Sequence, residues 1–307
     1  MNAVVDVRRT VDAVWRIESG RLIGSLARIL RDVGRAEEVA QDTLVAALEQ
    51  WPERGVPENP AAWMMATGRN KAIDLIRREV SREEKYSAVA VDLDRADDRD
   101  DDLLSLVFIA CHPVLPQESR VALTLRLLAG LSTEQIARAF LVPSPTIGQR
   151  ISRAKRTLAE AQTPFELPAA ADLPQRLSAV LEVIYLIFNE GYSASSGDIW
   201  IRRDLAEEAM RLGRMLTGLL PKEPEVRGLV ALMELQASRF GARTGPDGTP
   251  VLLADQDRSR WDRTLRNHGL AALDVATRLG RPLGPYTIQA AIAACHARAP
   301  RFEDTDW

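Results

Sequence analysis

Between Ser132 and Leu158 the sequence STEQIARAFLVPSPTIGQRISRAKRTL carries the pattern that most constrains the fold. Ile147, Ile151, Ala154 and Leu158 stand at i, i+4, i+7 and i+11 and so share one face of a helix, while Thr146, Gln149, Arg150 and Arg153 fall on the opposite side. One face belongs to a core and the other to something anionic. Ser132 is placed to cap a preceding helix, with Gln135 in the capping-box position. Ser144 is placed to cap the second helix, with Pro145 at its first helical position, where a missing N–H costs nothing. Leu141, Val142 and Pro143 make the turn between them. The segment predicts a helix-turn-helix.

Helical periodicity extends over almost the whole chain, because Leu, Ala and Arg dominate, β-branched alternation is rare, and Pro or Gly interrupts at intervals. An all-α fold is expected. Residues 1–80 form a first block, with helices over Val7 to Leu30, Ala36 to Trp51 and Pro60 to Glu79. Residues 81–102 are polar and acidic, too poor in apolar surface to offset the entropy of ordering them, and read as a linker. The second block covers 103–161 and ends in the helix-turn-helix. A connector with Pro164, Pro168 and Pro174 leads to a third block, 170–307. That block opens on an apolar stripe of Leu177, Val180, Leu181, Ile184, Tyr185 and Phe188. Further helices are expected over Leu205 to Leu219, Glu225 to Phe240, Ser259 to Leu279 and Gly284 to Ala299. Such a series of hairpins resembles helical-repeat proteins, without a clean fixed-period repeat.

The net charge of −3 over 307 residues argues against nucleic-acid binding only if charge is spread evenly. It is not. Ser144 to Glu160 sums to +3, from Arg150, Arg153, Lys155 and Arg156 against Glu160. Asp92 to Asp102 sums to −5, from seven Asp against Arg95 and Arg99. Two cysteines cannot supply a disulfide framework, and no run approaches the ~18 apolar residues of a membrane span, so a reducing cytoplasm without membrane association is expected.

On the helix after Ser144, Gln149 and Arg150 have the chemistry of base contacts, since Gln suits adenine and Arg suits guanine bidentately. Arg153, Lys155 and Arg156 suit phosphates. A solvated basic face would carry the same residues. In the first block, Ala36, Val39, Ala40, Thr43, Leu44, Ala47 and Leu48 form an inward stripe, and Glu38, Gln41, Asp42, Val45 and Glu49 share the other side. An acidic face with an exposed valine suits either docking onto a basic protein surface or plain solvation. The third helix brings Trp63, Asn70, Asp74 and Arg77 to one face with Arg69 and Arg78 nearby, and Met65, Ala72, Ile73 and Ile76 mainly opposite. Stacking on Trp, hydrogen bonds from Asn and phosphate neutralisation by Arg fit single-stranded DNA. A core tryptophan beside a surface ion pair fits equally.

Together these segments resemble the extracytoplasmic-function class of sigma-70-type factors. GRAEEVAQDTLVAALEQWP is similar to the region 2 helix that binds core RNA polymerase, NPAAWMMATGRNKAIDLIRRE to the helix that reads the promoter −10 element, and LSTEQIARAFLVPSPTIGQRISRAKRTL to region 4, which reads the −35 element. VIYLIFNEGYSASSG, VLLADQDRSRWDR and GPYTIQAAIAACHA resemble the tetratricopeptide-like C-terminal extension of group 42. The resemblance implies that Glu38, Gln41 and Asp42 dock on the β′ clamp helices and that region 4 sits near the β flap. It also implies that Pro57 to Trp63 capture an unstacked base, that the acidic linker threads the RNA path, and that a regulatory protein or ligand acts on the extension. The function implied is that of an alternative sigma factor. A one-component helix-turn-helix repressor or activator with a sensing domain is the second reading, and it has no use for the first block.

Other chemistry finds little support. Cys111-His112 and Cys295-His296 are adjacent pairs without ligand spacing, so no metal is expected. No Walker loop, dinucleotide glycine fingerprint or GxSxG elbow appears, which leaves no candidate catalytic site and no expected cofactor. Asn189, Glu190 and Tyr192, and likewise Asp255, Asp257, Arg258 and Trp261, read first as caps and hairpin packing, and second as groups lining a groove or holding the extension to the rest.

Overall fold

The computed structural model describes residues 2–80, 99–192, 199–245, 249–280 and 282–307, which contain twelve α-helices. Among them the sole extended pairing is an isolated antiparallel bridge, Thr244 with Pro250. Two compact units result, Met1–Val180 and Leu181–Trp307.

In the first unit, α1 (Asn2–Leu30) is the central element. Its Val11, Trp15, Leu22, Ile23, Leu26 and Leu30 are buried at helical spacing, and α2 (Val33–Arg54), α3 (Pro60–Val80) and α4 (Arg99–Ala110) pack around it. Asp32 caps α2 by accepting from the Arg35 N–H at 2.9 Å. From Leu103 onward α4 is apolar on every side except at Ser105 and is buried throughout, as such a helix must be. It crosses α1 so closely that a Cβ at Gly24 would stand 2.8 Å from the Asp102 carbonyl oxygen, and only glycine fits. α5 (Gln117–Leu127), α6 (Thr133–Ala139) and α7 (Ser144–Glu160) complete the unit, with the Trp15 indole N–H donating to the Gly130 carbonyl at 3.2 Å.

α6 and α7 are the expected helix-turn-helix. Ser132 accepts from the Gln135 N–H at 3.2 Å while the Gln135 amide oxygen accepts from the Ser132 N–H at 2.7 Å, which closes the capping box. Ile147, Ile151, Ala154 and Leu158 are all buried. The isoleucines and the leucine contribute about 1.5–3 kcal/mol each by leaving water.

The second unit is built around α10 (Pro224–Ala237), in which Val226 and every residue from Gly228 to Leu235 are buried, enclosed by α9 (Ile199–Leu219), α11 (Arg263–Leu279) and α12 (Pro285–Arg298). Ala290, Ala294 and Ala297 let α12 lie close to Ala231 and Leu235 of α10. The Glu225 carboxylate accepts from the Tyr286 N–H (2.9 Å) and the Thr287 N–H (3.1 Å), satisfying donors at the N-terminus of α12. α8 (Leu173–Tyr192) gives its first turns to the first unit, where Arg176 donates to the Phe108 carbonyl at 2.8 Å, and its remainder to the second.

Several expectations need correction. The acidic stretch read as linker to residue 102 is helical from Arg99, because Asp102 is buried and pairs with Arg28 at 3.0 Å; residues 81–98 lie outside the described residues. Leu48 is 38% exposed, since the buried face of α2 runs through Ala46, Ala47 and Trp51 instead. On α3 it is Met64 that joins Ala72 in the core, a residue the sequence pattern did not single out. Ser144 is the first helical residue of α7, and Pro143 holds the N-cap position without a side-chain hydrogen bond. α11 starts at Arg263, capped by Asp262; the residues from Arg258 to Arg260 form a 3-10 turn that carries Trp261 into the core.

Candidate nucleic-acid interface

On α7, Gln149, Arg153 and Arg156 form an exposed stripe flanked by half-buried Thr146 and Arg150. Arg156 lies 3.7 Å from Glu160, an exposed pair that leaves it available. Arg150 is engaged: its Nη2 lies 2.6 Å from Glu118 of α5. Lys155 does not share the stripe. At 100° per residue it stands about 120° around the helix from Gln149, and it turns toward α2, where it pairs with Glu37.

Glu37 is the residue that sequence reasoning missed. Its side chain is only 5% exposed, and its second oxygen lies 2.5 Å from Arg126 Nε of α5. One buried carboxylate thus joins α2, α5 and α7. Arg126 also donates to the Leu131 carbonyl at 3.2 Å, just before the helix-turn-helix.

The outer face of α2 is as expected on one side. Glu38, Asp42 and Glu49 are exposed, Gln41 is half-buried, and Val45 is half exposed. Leu48 beside Val45 makes a small apolar patch within that acidic face.

α3 begins at a defined corner. Asn59 accepts from the Ala62 N–H at 3.0 Å through its side chain, and Pro60 follows it, a start signal present in the Asn-Pro dipeptide. Trp63 is half-buried and meets Trp51 edge-on, with centroids 5.4 Å apart and planes at 73°. Asn70, Asp74, Arg77 and Arg78 are exposed on the outer face, and Asp74 and Arg77 pair loosely at 3.8 Å. Arg69 is half-buried and lies off that stripe. Trp63 therefore serves both readings: part of its ring closes the core against Trp51, and part remains open beside the loop from Pro57.

Comparison with known proteins decides what these surfaces belong to. Residues 16–82 match the family model of sigma-70 region 2, and residues 105–158 match that of sigma-70 region 4. The chain is an extracytoplasmic-function sigma factor of the sigma-70 family, with a C-terminal extension. It is 29% identical over 157 residues to the ECF RNA polymerase sigma factor SigK of Mycobacterium sp. (strain KMS), covering 47% of this chain and 79% of that one. It is 27% identical over 165 residues to a probable RNA polymerase sigma-C factor of Mycobacterium bovis, covering 52% and 83%.

Both alignments cover about half of this sigma factor. Residues 176–277 fit a family of unknown function. An uncharacterized protein of Rhizobium meliloti, R00370, is 49% identical over 298 residues, spanning 93% of this chain and 70% of its own length. No solved structure matches. As an alternative sigma factor the protein directs transcription initiation, binding core RNA polymerase and promoter DNA, and its family is not enzymatic in general. Among the described residues no helix is long and apolar enough to cross a membrane, and no group of three or more His, Cys, Asp or Glu is placed to hold a metal ion.

Proposed function

We propose that this sigma factor reads its promoter with two separate surfaces and reaches polymerase with a third. The exposed stripe Gln149, Arg153, Arg156 on a helix whose opposite face is core carries the reading. This stripe enters the −35 major groove, with Gln149 and Arg150 on base edges, Thr146 alongside, and Arg153 and Arg156 on phosphates. Asn70, Asp74, Arg77 and Arg78, with Arg69 behind them, hold the −10 strand, while Pro57 to Trp63 receive an unstacked base whose extraction costs a few kcal/mol. Glu38, Gln41, Asp42, Val45 and Glu49 dock on the β′ clamp helices, and region 4 lies near the β flap. The acidic segment through Asp92 and Asp98 follows the RNA path. The extension, tetratricopeptide-like and of the group 42 kind, modulates this activity in the cytoplasm through a regulatory protein or ligand.

The described form is a closed one. A 180-residue compact unit has a radius of gyration of about 16 Å and so spans roughly 40 Å, whereas promoter elements some 25 base pairs apart lie about 85 Å apart at 3.4 Å per base pair. With α2 and α7 joined through Glu37, one molecule cannot touch both elements. Docking on polymerase opens the unit and frees Lys155 for phosphate contact. The test is assembly with purified core polymerase on promoter DNA. Complex formation with core and weak binding to duplex alone are expected; no complex with core and tight duplex binding would favour the one-component repressor instead. Arg150→Ala should weaken −35 binding by ~1–3 kcal/mol in a sequence-specific way, and equal weakening on every sequence would reassign Arg150 to phosphate.

A further inference from the structure

The second unit holds a cavity of about 290 Å³ between α10, α12 and the segment from Leu252 to Trp261. Leu232, Leu235 and Leu253 line it with apolar surface, the exposed Ile292 stands at its edge, and Arg239, Trp261 and His296 supply its polar groups. Trp261 is 4% exposed, and its indole N–H is buried with no hydrogen-bond partner. His296 Nδ1, also lining the cavity, is likewise buried and unpartnered. Buried polar atoms are nearly always paired in folded proteins, so the unpaired Trp261 N–H points to an acceptor that the chain does not supply, and the unpaired His296 nitrogen beside it leaves a second polar position unfilled.

The charge around the cavity has the same sense. Arg239 has no carboxylate within ion-pair distance among the described residues; its Nη2 donates to the Tyr192 hydroxyl at 2.9 Å and to the Gln236 amide oxygen. Burial disfavours its charged form, and Arg243 and Arg258 nearby add to that effect. Arg243 is committed to the Tyr192 ring, 3.7 Å from its centroid, and to the Tyr192 carbonyl at 2.6 Å. Arg258 is committed to the carbonyls of His296 and Ala299, both at 2.6 Å. Asp257 turns away to cap its own turn through Ser259. Burial followed by Arg239 and Arg258 holds His296 below the usual histidine range, so its ring adds no charge.

We propose that this cavity binds a small organic carboxylate, with the carboxylate on Arg239 and the Trp261 N–H and an apolar body against Leu232, Leu235 and Leu253. A guanidinium edge matches a carboxylate in planar, two-point geometry. A phosphate would bring more acceptor oxygens than these donors satisfy and would leave the apolar lining facing a hydrated ion. The volume is at the small end for ligand sites, which fits a single ring or a short chain. The bound molecule would bridge α10 to α12, and it would do so whether or not the promoter surfaces act as proposed.

Full-length protein with ¹⁵N-labelled tryptophan is titrated at millimolar concentrations with phenylacetate, hexanoate, benzyl alcohol and inorganic phosphate, while the indole N–H signals are followed. Trp261→Phe assigns the relevant signal. Phenylacetate or hexanoate should shift that signal saturably, and benzyl alcohol and phosphate should not. Arg239→Gln should weaken the carboxylate at least about tenfold. If that variant does not fold, the shift of the Trp261 signal in the unaltered protein decides alone. An unmoved Trp261 signal, equal binding of the alcohol or of phosphate, or unchanged affinity in folded Arg239→Gln would each overturn the proposal.

Discussion

Replacing Glu37 with Gln keeps the side-chain volume and removes the charge that joins α2 to α5 and α7. Removing one partner of a fully buried ion pair costs about 3–5 kcal/mol. Here Arg126 and Lys155 keep 19% and 22% of their side-chain surface, so water recovers part of that loss, and Arg126 retains the Leu131 carbonyl. A cost of about 2 kcal/mol is expected. It should fall on the packing of α2 against α5 and α7 rather than on α2 itself, whose cap at Asp32 is untouched. Urea titration of Glu37→Gln, Lys155→Met and the double variant measures the coupling between the two side chains. Coupling of about 1–2 kcal/mol is expected, and additivity within about 0.5 kcal/mol would refute the assignment of Glu37 as the clasp. If opening limits assembly, 2 kcal/mol should also raise the affinity for core polymerase by up to about thirtyfold.

Three further outcomes follow from the same geometry. Arg153→Gln should reduce the salt dependence of −35 duplex binding by about 0.9 in logarithmic slope, while Lys155→Gln should leave it unchanged in the isolated protein, because Lys155 is held by Glu37; binding as a function of salt reads both. The Cys111 thiol, pushed up to about 11 by burial despite its contact with Thr124, should resist alkylation in the folded protein and react on unfolding. The His296 ring is held below its ordinary value by burial and two arginines. Its contribution to stability is therefore complete above the unfolded value near 6.5 and is lost as pH falls through the folded value. Thermal unfolding should lose more stability on acidification in the native protein than in His296→Gln, and parallel curves would remove His296 from the account.

The all-α fold and the helix-turn-helix were legible because α7 buries residues at a single clear period and Ser132 with Gln135 completes its own cap locally. Leu48 was assigned to the inward stripe because apolar neighbours on a helix leave the phase ambiguous by one residue; the true phase is fixed by Trp51, which only packing reveals. Lys155 was grouped with the basic face by charge alone, although its angular position already set it apart. Glu37 could not be read at all, because an acid on a core-facing side is explained only by cations at positions 126 and 155. The cavity of the second unit is similar: the segment from Asp255 to Trp261 reads as caps and packing, and Asp257 and Trp261 do act so, but Arg239 and His296 join it only through the fold. The comparisons then placed region 2 and region 4 on the two blocks where charge and periodicity had suggested binding faces.

The most direct test of the central claim is transcription from total genomic DNA by purified core polymerase with and without this protein, with start sites mapped by sequencing. The protein should create a defined set of new starts sharing one upstream element near −10 and another near −35, and the −35 element should lose its influence when Gln149 and Arg150 are replaced by Ala. Start sites identical to those of core alone would contradict the account.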